Sequence, residues 1–100
     1  MKAIIVDGEA KAELDEAMGW YEDQRKGLGL DLQNEVQLAL AKVQDDPNIG
    51  TRYRNTDFQF VRTQRFPFVI YYLELADSIW IAAIAHGRRR PGYWRMRKQP

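Results

Sequence analysis

The chain has 100 residues, 45% of them hydrophobic and 12% aromatic, with 15 basic and 14 acidic side chains, one histidine and no cysteine. This is the size of one domain, residues 1–100, that can bury a core. The composition leaves no disulfide or thiolate chemistry, and no zinc cluster, which would draw on several histidine and cysteine ligands. The net charge of +1 hides a division. Residues 1–50 carry five cations against eleven anions, a balance of −6, and residues 51–100 carry ten cations against three anions, a balance of +7. Nine of those ten cations are arginine, the planar, bidentate cation suited to carboxylate and phosphate. No run of about eighteen apolar residues exists for a membrane span, and the opening Met1-Lys2-Ala3-Ile4-Ile5-Val6 is too short for a signal-peptide core. The expectation is a soluble, cytoplasmic protein with no membrane partner.

In chain order, Ala3 to Val6 reads as a short strand, and Asp7-Gly8-Glu9 supplies helix-start residues. From Ala10 onward Ala10, Leu14, Ala17, Met18 and Tyr21 recur at helical spacing, with Glu13, Asp15, Glu16, Glu22 and Asp23 assigned to the polar face. This helix is expected to end near Lys26, where Gly27 provides a left-handed cap. Leu32, Val36, Ala39, Leu40 and Val43 form a second stripe, stopped by Asp45-Asp46-Pro47. A polar connection containing Arg52, Tyr53 and Arg54 follows, then three strand-like runs at Phe58–Thr63, Phe68–Leu75 and Ile79–Ala85. Ala76-Asp77-Ser78 is short enough to join the last two as an antiparallel hairpin, and their near-continuous hydrophobicity calls for cover on both faces. The order β-α-α-β-β-β predicts an α+β fold, a helical hairpin packed on a mostly antiparallel sheet.

The chain closes on His86-Gly87-Arg88-Arg89-Arg90-Pro91-Gly92-Tyr93-Trp94-Arg95-Met96-Arg97, cations and aromatics together just beyond a strand. Such a mixture suits a polyanion or an acidic partner. Arg62, Arg65, Arg88, Arg89, Arg90, Tyr93 and Trp94 are therefore the candidate binding residues. For Trp94, packing on the sheet and contact with a partner are equally compatible with the pattern. For a metal-independent RNase, His86, Arg65, Arg88 and Tyr93 are the residues that offer base or acid and a phosphate clamp. The competing reading of His86 as a strand-end histidine bonded to backbone is the favoured one. Trp20 and Tyr21 are expected to pack, and Gly27 and Gly29 to give backbone freedom at the helix junction.

Three blocks carry a family resemblance: Trp20-Tyr21-Glu22 followed by Gly27-Leu28-Gly29, Arg65-Phe66-Pro67-Phe68-Val69-Ile70-Tyr71-Tyr72, and Ile84-Ala85-His86-Gly87-Arg88-Arg89. On these, over nearly its whole length, the chain resembles the ParE and RelE toxins of bacterial type II toxin–antitoxin systems, more closely the ParE branch. The resemblance implies the fold read above and a plasmid-stabilisation type of toxin that blocks replication by binding DNA gyrase. It also implies a cognate antitoxin as partner, and neither a cofactor nor a small-molecule substrate. The RelE branch implies a ribosome-dependent mRNA endonuclease instead. A nucleic-acid-binding module and a non-toxic family member complete the alternatives. The Leu28, Leu30, Leu32 and Leu38 side of the second helix exceeds what one stripe needs and offers the antitoxin a surface.

Overall fold

The computed structural model describes residues 1–100, and its elements follow the expected order with two additions. Strand β1 (Ala3–Val6) leads into α1 (Gly8–Gln24), whose first turn is capped by the Asp7 carboxylate accepting the Glu9 N–H at 3.0 Å. Helix α2 (Leu28–Asp45) returns beside it and ends where Pro47 forbids continuation. Strands β2 (Thr51–Arg52), β3 (Gln59–Arg62), β4 (Phe68–Glu74) and β5 (Ser78–His86) follow, then a 3₁₀ turn at Tyr93–Met96. The two-residue β2 and the 3₁₀ turn were not legible from periodicity, because neither is long enough to show one.

The five strands lie in the order β1-β5-β4-β3-β2, with only β1 and β5 parallel. Both faces are covered. Ala10, Leu14, Leu32, Val36, Leu40 and Val43 of the helices meet Phe68, Ile70, Tyr72, Ile79, Ile81 and Ile84 of the sheet. The opposite face carries Leu73, Trp80, Ala82 and Ala83 under Tyr53 and Trp94. The residues of β5 facing the helices change from odd to even between Ile81 and Ile84. The cause is a bulge: Tyr71 pairs with Ala83 while Tyr72 pairs with Ile81, so Ala82 is the extra residue and the side-chain phase flips. Tyr72 spans the sheet edge by donating its hydroxyl to the Pro47 carbonyl at 2.7 Å and accepting the Gly50 N–H at 3.0 Å. Burial raises its pKa first, with the nearby Asp46 and Glu74 adding to this and the Gly50 N–H opposing it.

The helical hairpin turns on two glycines. Gly27 sits at φ +95°, the left-handed geometry expected of it. The Glu22 carboxylate then accepts the N–H groups of Gly27 and Gly29 at 2.9 and 3.0 Å, satisfying donors at the start of α2 that have no helical partner. At Gly29 the helices approach so closely that a Cβ would lie 2.6 Å from the Met18 carbonyl oxygen. That oxygen belongs to backbone and cannot swing away. Gly29→Ala is expected to destabilise the protein by about 1–3 kcal/mol, the usual penalty for overpacking, measured as the shift in urea midpoint.

Candidate functional site

The site is built at the free edge of β5. Strand β1 pairs with β5 only from Ser78 to Ile81, and beyond that point side chains take over the edge. The Ile84 N–H donates to Glu13 Oε1 at 3.1 Å, and Arg97 Nη1 donates to the Ala82 carbonyl at 2.8 Å. Glu13 and Arg97 also meet each other, Nη1 to Oε1 at 3.0 Å and Nη2 to Oε2 at 3.1 Å, and Arg97 Nε reaches Glu9 at 2.9 Å. With side chains 14% and 12% exposed, this pair sits largely out of water. Desolvation works against the Arg97 charge, but the hydrogen bond and the charge of Glu13 outweigh it and hold the guanidinium above its usual pKa.

Tyr93 belongs to the same cluster. Its hydroxyl donates to Glu13 Oε2, and its ring lies 3.9 Å from the Arg89 guanidinium and 5.2 Å from that of Arg97. Burial, then the hydrogen bond to Glu13, push the phenol well above its ordinary range. The Tyr93 proton is thus committed to a structural acceptor, which corrects its reading as a free proton donor. The expectation that Glu13 belongs to the polar face is corrected too. It stands three residues after Ala10 and four before Ala17, inside the buried stripe, and that spacing was the available signal.

Trp94 is packing. It is 1% exposed, with ring centroids 4.6 Å from Tyr71, 4.7 Å from Phe58 and 5.3 Å from Tyr53. Its indole N–H meets no protein acceptor, and its contacts are with the three rings. The reading of Trp94 as a partner contact is overturned. Tyr71 beneath it is pushed up in pKa by burial and then by Tyr53, while the nearby cations Arg62 and Arg54 pull the other way.

The remaining candidates gather at one end of the sheet, where β3 ends, β4 begins and β5 ends. Arg62 lies over the Phe60 ring at 5.5 Å. Arg65 is an ion-pair residue: its Nε donates to Glu35 Oε2 at 2.8 Å, and Asp31 stands 3.7 Å from Nη2. Glu35 also accepts the backbone N–H groups of Gln64 and Arg65 at 2.8 and 2.9 Å, so it anchors the β3–β4 turn to α2. His86 accepts the Arg88 N–H at Nδ1, 3.1 Å, and packs edge-on against Phe68, the backbone-bonded role favoured for it. Arg88, Arg89 and Arg90 are exposed and none forms an ion pair. The RNase set of His86, Arg65, Arg88 and Tyr93 is therefore divided among separate tasks.

Trp20 departs from expectation in the other direction. It is 59% exposed, with its edge on Tyr21, and it borders a slot of about 310 Å³ between α1 and the end of β5. Tyr21 alone packs inward, on Phe66 and Phe68. Of the α2 leucines, Leu32 is buried and Leu28 packs against the core, leaving Leu30 and Leu38 outside at 57% and 63%. Trp20 occupies the position after Gly19, outside the strict stripe, which is the signal that packing was not required of it.

No family model matches the chain, and no curated protein matches its sequence. In structure it matches a chain described as "Chromosomal ParDE TA system from P. aeruginosa", with a TM-score of 0.78 and 18% identity, over 86% of this chain and 96% of that one. The fold is that of the ParE and RelE toxins. At this identity the likeness is one of architecture, and the side chains at the ParE-like sheet's basic end are this chain's own. No helix is long and apolar enough to cross a membrane.

The Glu35 anchor has a pH signature. Desolvation pushes its carboxyl up, but the hydrogen bonds from the Arg65 side chain and from the Arg65 and Gln64 N–H groups together bring it below its ordinary value. A depressed folded-state pKa adds stability above the ordinary carboxylate range that is lost as pH falls through the folded value. The urea midpoint of Glu35→Gln is expected to lie below that of the wild type at pH 7, with the gap closing as pH drops through the carboxylate range.

Proposed function

We propose that this chain is the toxin of a type II toxin–antitoxin pair, and that it acts without catalysis by binding DNA gyrase and holding its cleaved DNA complex. The structural likeness to a chain of a ParDE TA system supports the system class. The observation that supports the non-enzymatic reading is the engagement by Glu13 of Tyr93, the phenol named for an RNA-cleaving site. What remains available is the exposed trio Arg88, Arg89 and Arg90 on a loop held between β5 and the docked tail, and arginines so placed are typical energetic anchors of an interface.

A cognate antitoxin is the neutralising partner in this reading. A groove of about 280 Å³ between α2 and β3 is bordered by Leu38 and Ile49, both exposed, and by the cations Lys42 and Arg62. An acidic segment with apolar anchors complements it. No cofactor enters the scheme.

Purified protein is expected to raise the level of cleaved gyrase–DNA complex and to leave messages intact in a translating extract. Arg88→Glu with Arg90→Glu is expected to weaken poisoning by at least about a hundredfold, since hot-spot arginines are worth roughly 2 kcal/mol each, with an unchanged urea midpoint. Unaffected gyrase together with cut messages would assign the chain to the mRNA-endonuclease class instead.

A further inference from the structure

Four rings, Trp20, Tyr21, Phe68 and His86, line the slot between α1 and the end of β5, with the carboxylates of Glu13 and Glu16 on the helix side and Arg89 at the loop side. We propose that this slot receives one unstacked base of single-stranded DNA, with the phosphates on either side held by the arginine loop. The proposal rests on the reading of the chain as acting on a cleaved gyrase–DNA complex.

Four observations support a base over an apolar side chain. The volume, about 310 Å³, accommodates a nucleotide. Trp20 keeps 59% of its surface in water although its neighbour Tyr21 packs inward, and an exposed indole beside further rings is the usual stacking platform for single-stranded nucleic acid. Arg89 lies over the Tyr93 ring at 3.9 Å beside the slot, and Arg88, Arg89 and Arg90 carry no ion pair. Finally, the acids of α1 are not equivalent. Glu9 and Glu13 are held by Arg97, whereas Glu16 is exposed and unpaired on the slot's rim. A free carboxylate at the base position accepts a hydrogen bond from an exocyclic amino group, while the arginine loop opposite takes the phosphates. Cytosine offers one and thymine does not.

Trp80 and Trp94 are 2% and 1% exposed, so a ligand can stack only on Trp20, and the quenching assigned to Trp20 is the part lost in Trp20→Ala. The test uses the full chain at low salt with tetradeoxycytidylate, tetradeoxythymidylate, inorganic phosphate and a glutamate-rich peptide carrying one phenylalanine. The cytidine oligonucleotide is expected to quench Trp20 saturably and to bind at least about threefold more tightly than the thymidine one. By anisotropy of a labelled oligonucleotide, Trp20→Ala and Arg89→Ala are each expected to weaken binding about tenfold, and Glu16→Gln to narrow the base preference. Both Trp20 and Arg89 are exposed, so these variants retain the fold. Absence of binding, binding indifferent to Trp20→Ala, equal quenching by phosphate alone, or tighter binding of the peptide would each overturn the proposal. The two readings fail separately. A chain that binds the oligonucleotide but spares gyrase contradicts the gyrase assignment, and one that poisons gyrase but ignores the oligonucleotide contradicts the base slot.

Discussion

The contact between Glu13 and Arg97 is the constraint on which the rest of this architecture depends. It joins residues 84 positions apart and closes a sheet edge that β1 is too short to cover. An open strand edge invites pairing with another chain, and covering it with side chains is one way proteins prevent this. Removing two charges from water is costly, and such a pair is tolerated only when its other hydrogen-bonding capacity is met. Here it is met. Glu13 takes the Ile84 N–H, the Tyr93 hydroxyl and both terminal nitrogens of Arg97, while Arg97 directs two further N–H donors to the Ala82 carbonyl and Glu9.

The pair also sets what the basic end of the sheet can do. By fixing Arg97 and Tyr93 it holds the tail against the second face, where Trp94 completes an aromatic layer with Tyr53, Phe58 and Tyr71. The loop from Gly87 to Gly92 is then tethered at both ends, at one by the Gly87 N–H on the Pro67 carbonyl at 2.7 Å and at the other by the Tyr93 hydroxyl on Glu13. Arginines on a tethered loop lose less conformational freedom when they bind. The same contacts engage the Tyr93 hydroxyl, so the order of the tail and the placement of that phenol have one origin.

Much of this was visible in the residues. The strand at Ala3–Val6, the two apolar helix stripes, the left-handed Gly27 and the three long strands all follow from local periodicity and turn chemistry. The phase flip at Ala82 was hidden, because a bulge inserts one residue into an apolar run that shows no alternation. Glu13 was misplaced for a related reason: a carboxylate within a helix stripe reads as polar face until the cation that neutralises it, Arg97, is brought across from the far end of the chain. Arg65 and Trp94 show the converse. Both look like surface ligands in a basic, aromatic sequence, and only tertiary placement reveals that Glu35 holds one and three rings enclose the other. Of the tail's cations, Arg97 is drawn into an ion pair, while Arg88, Arg89, Arg90, Arg95 and Lys98 stay exposed and unpaired.

The Ile84 amide proton offers the most direct view of the central contact, since its acceptor is the Glu13 carboxylate and not a neighbouring strand. Its exchange with solvent, followed residue by residue by NMR, is expected to be as slow as that of the β4–β5 ladder in the wild type. In Glu13→Ala it is expected to accelerate together with the Arg97 amide of the tail, while the ladder stays protected. Rapid exchange of Ile84 in the wild type, or exchange unmoved by Glu13→Ala, would contradict the account.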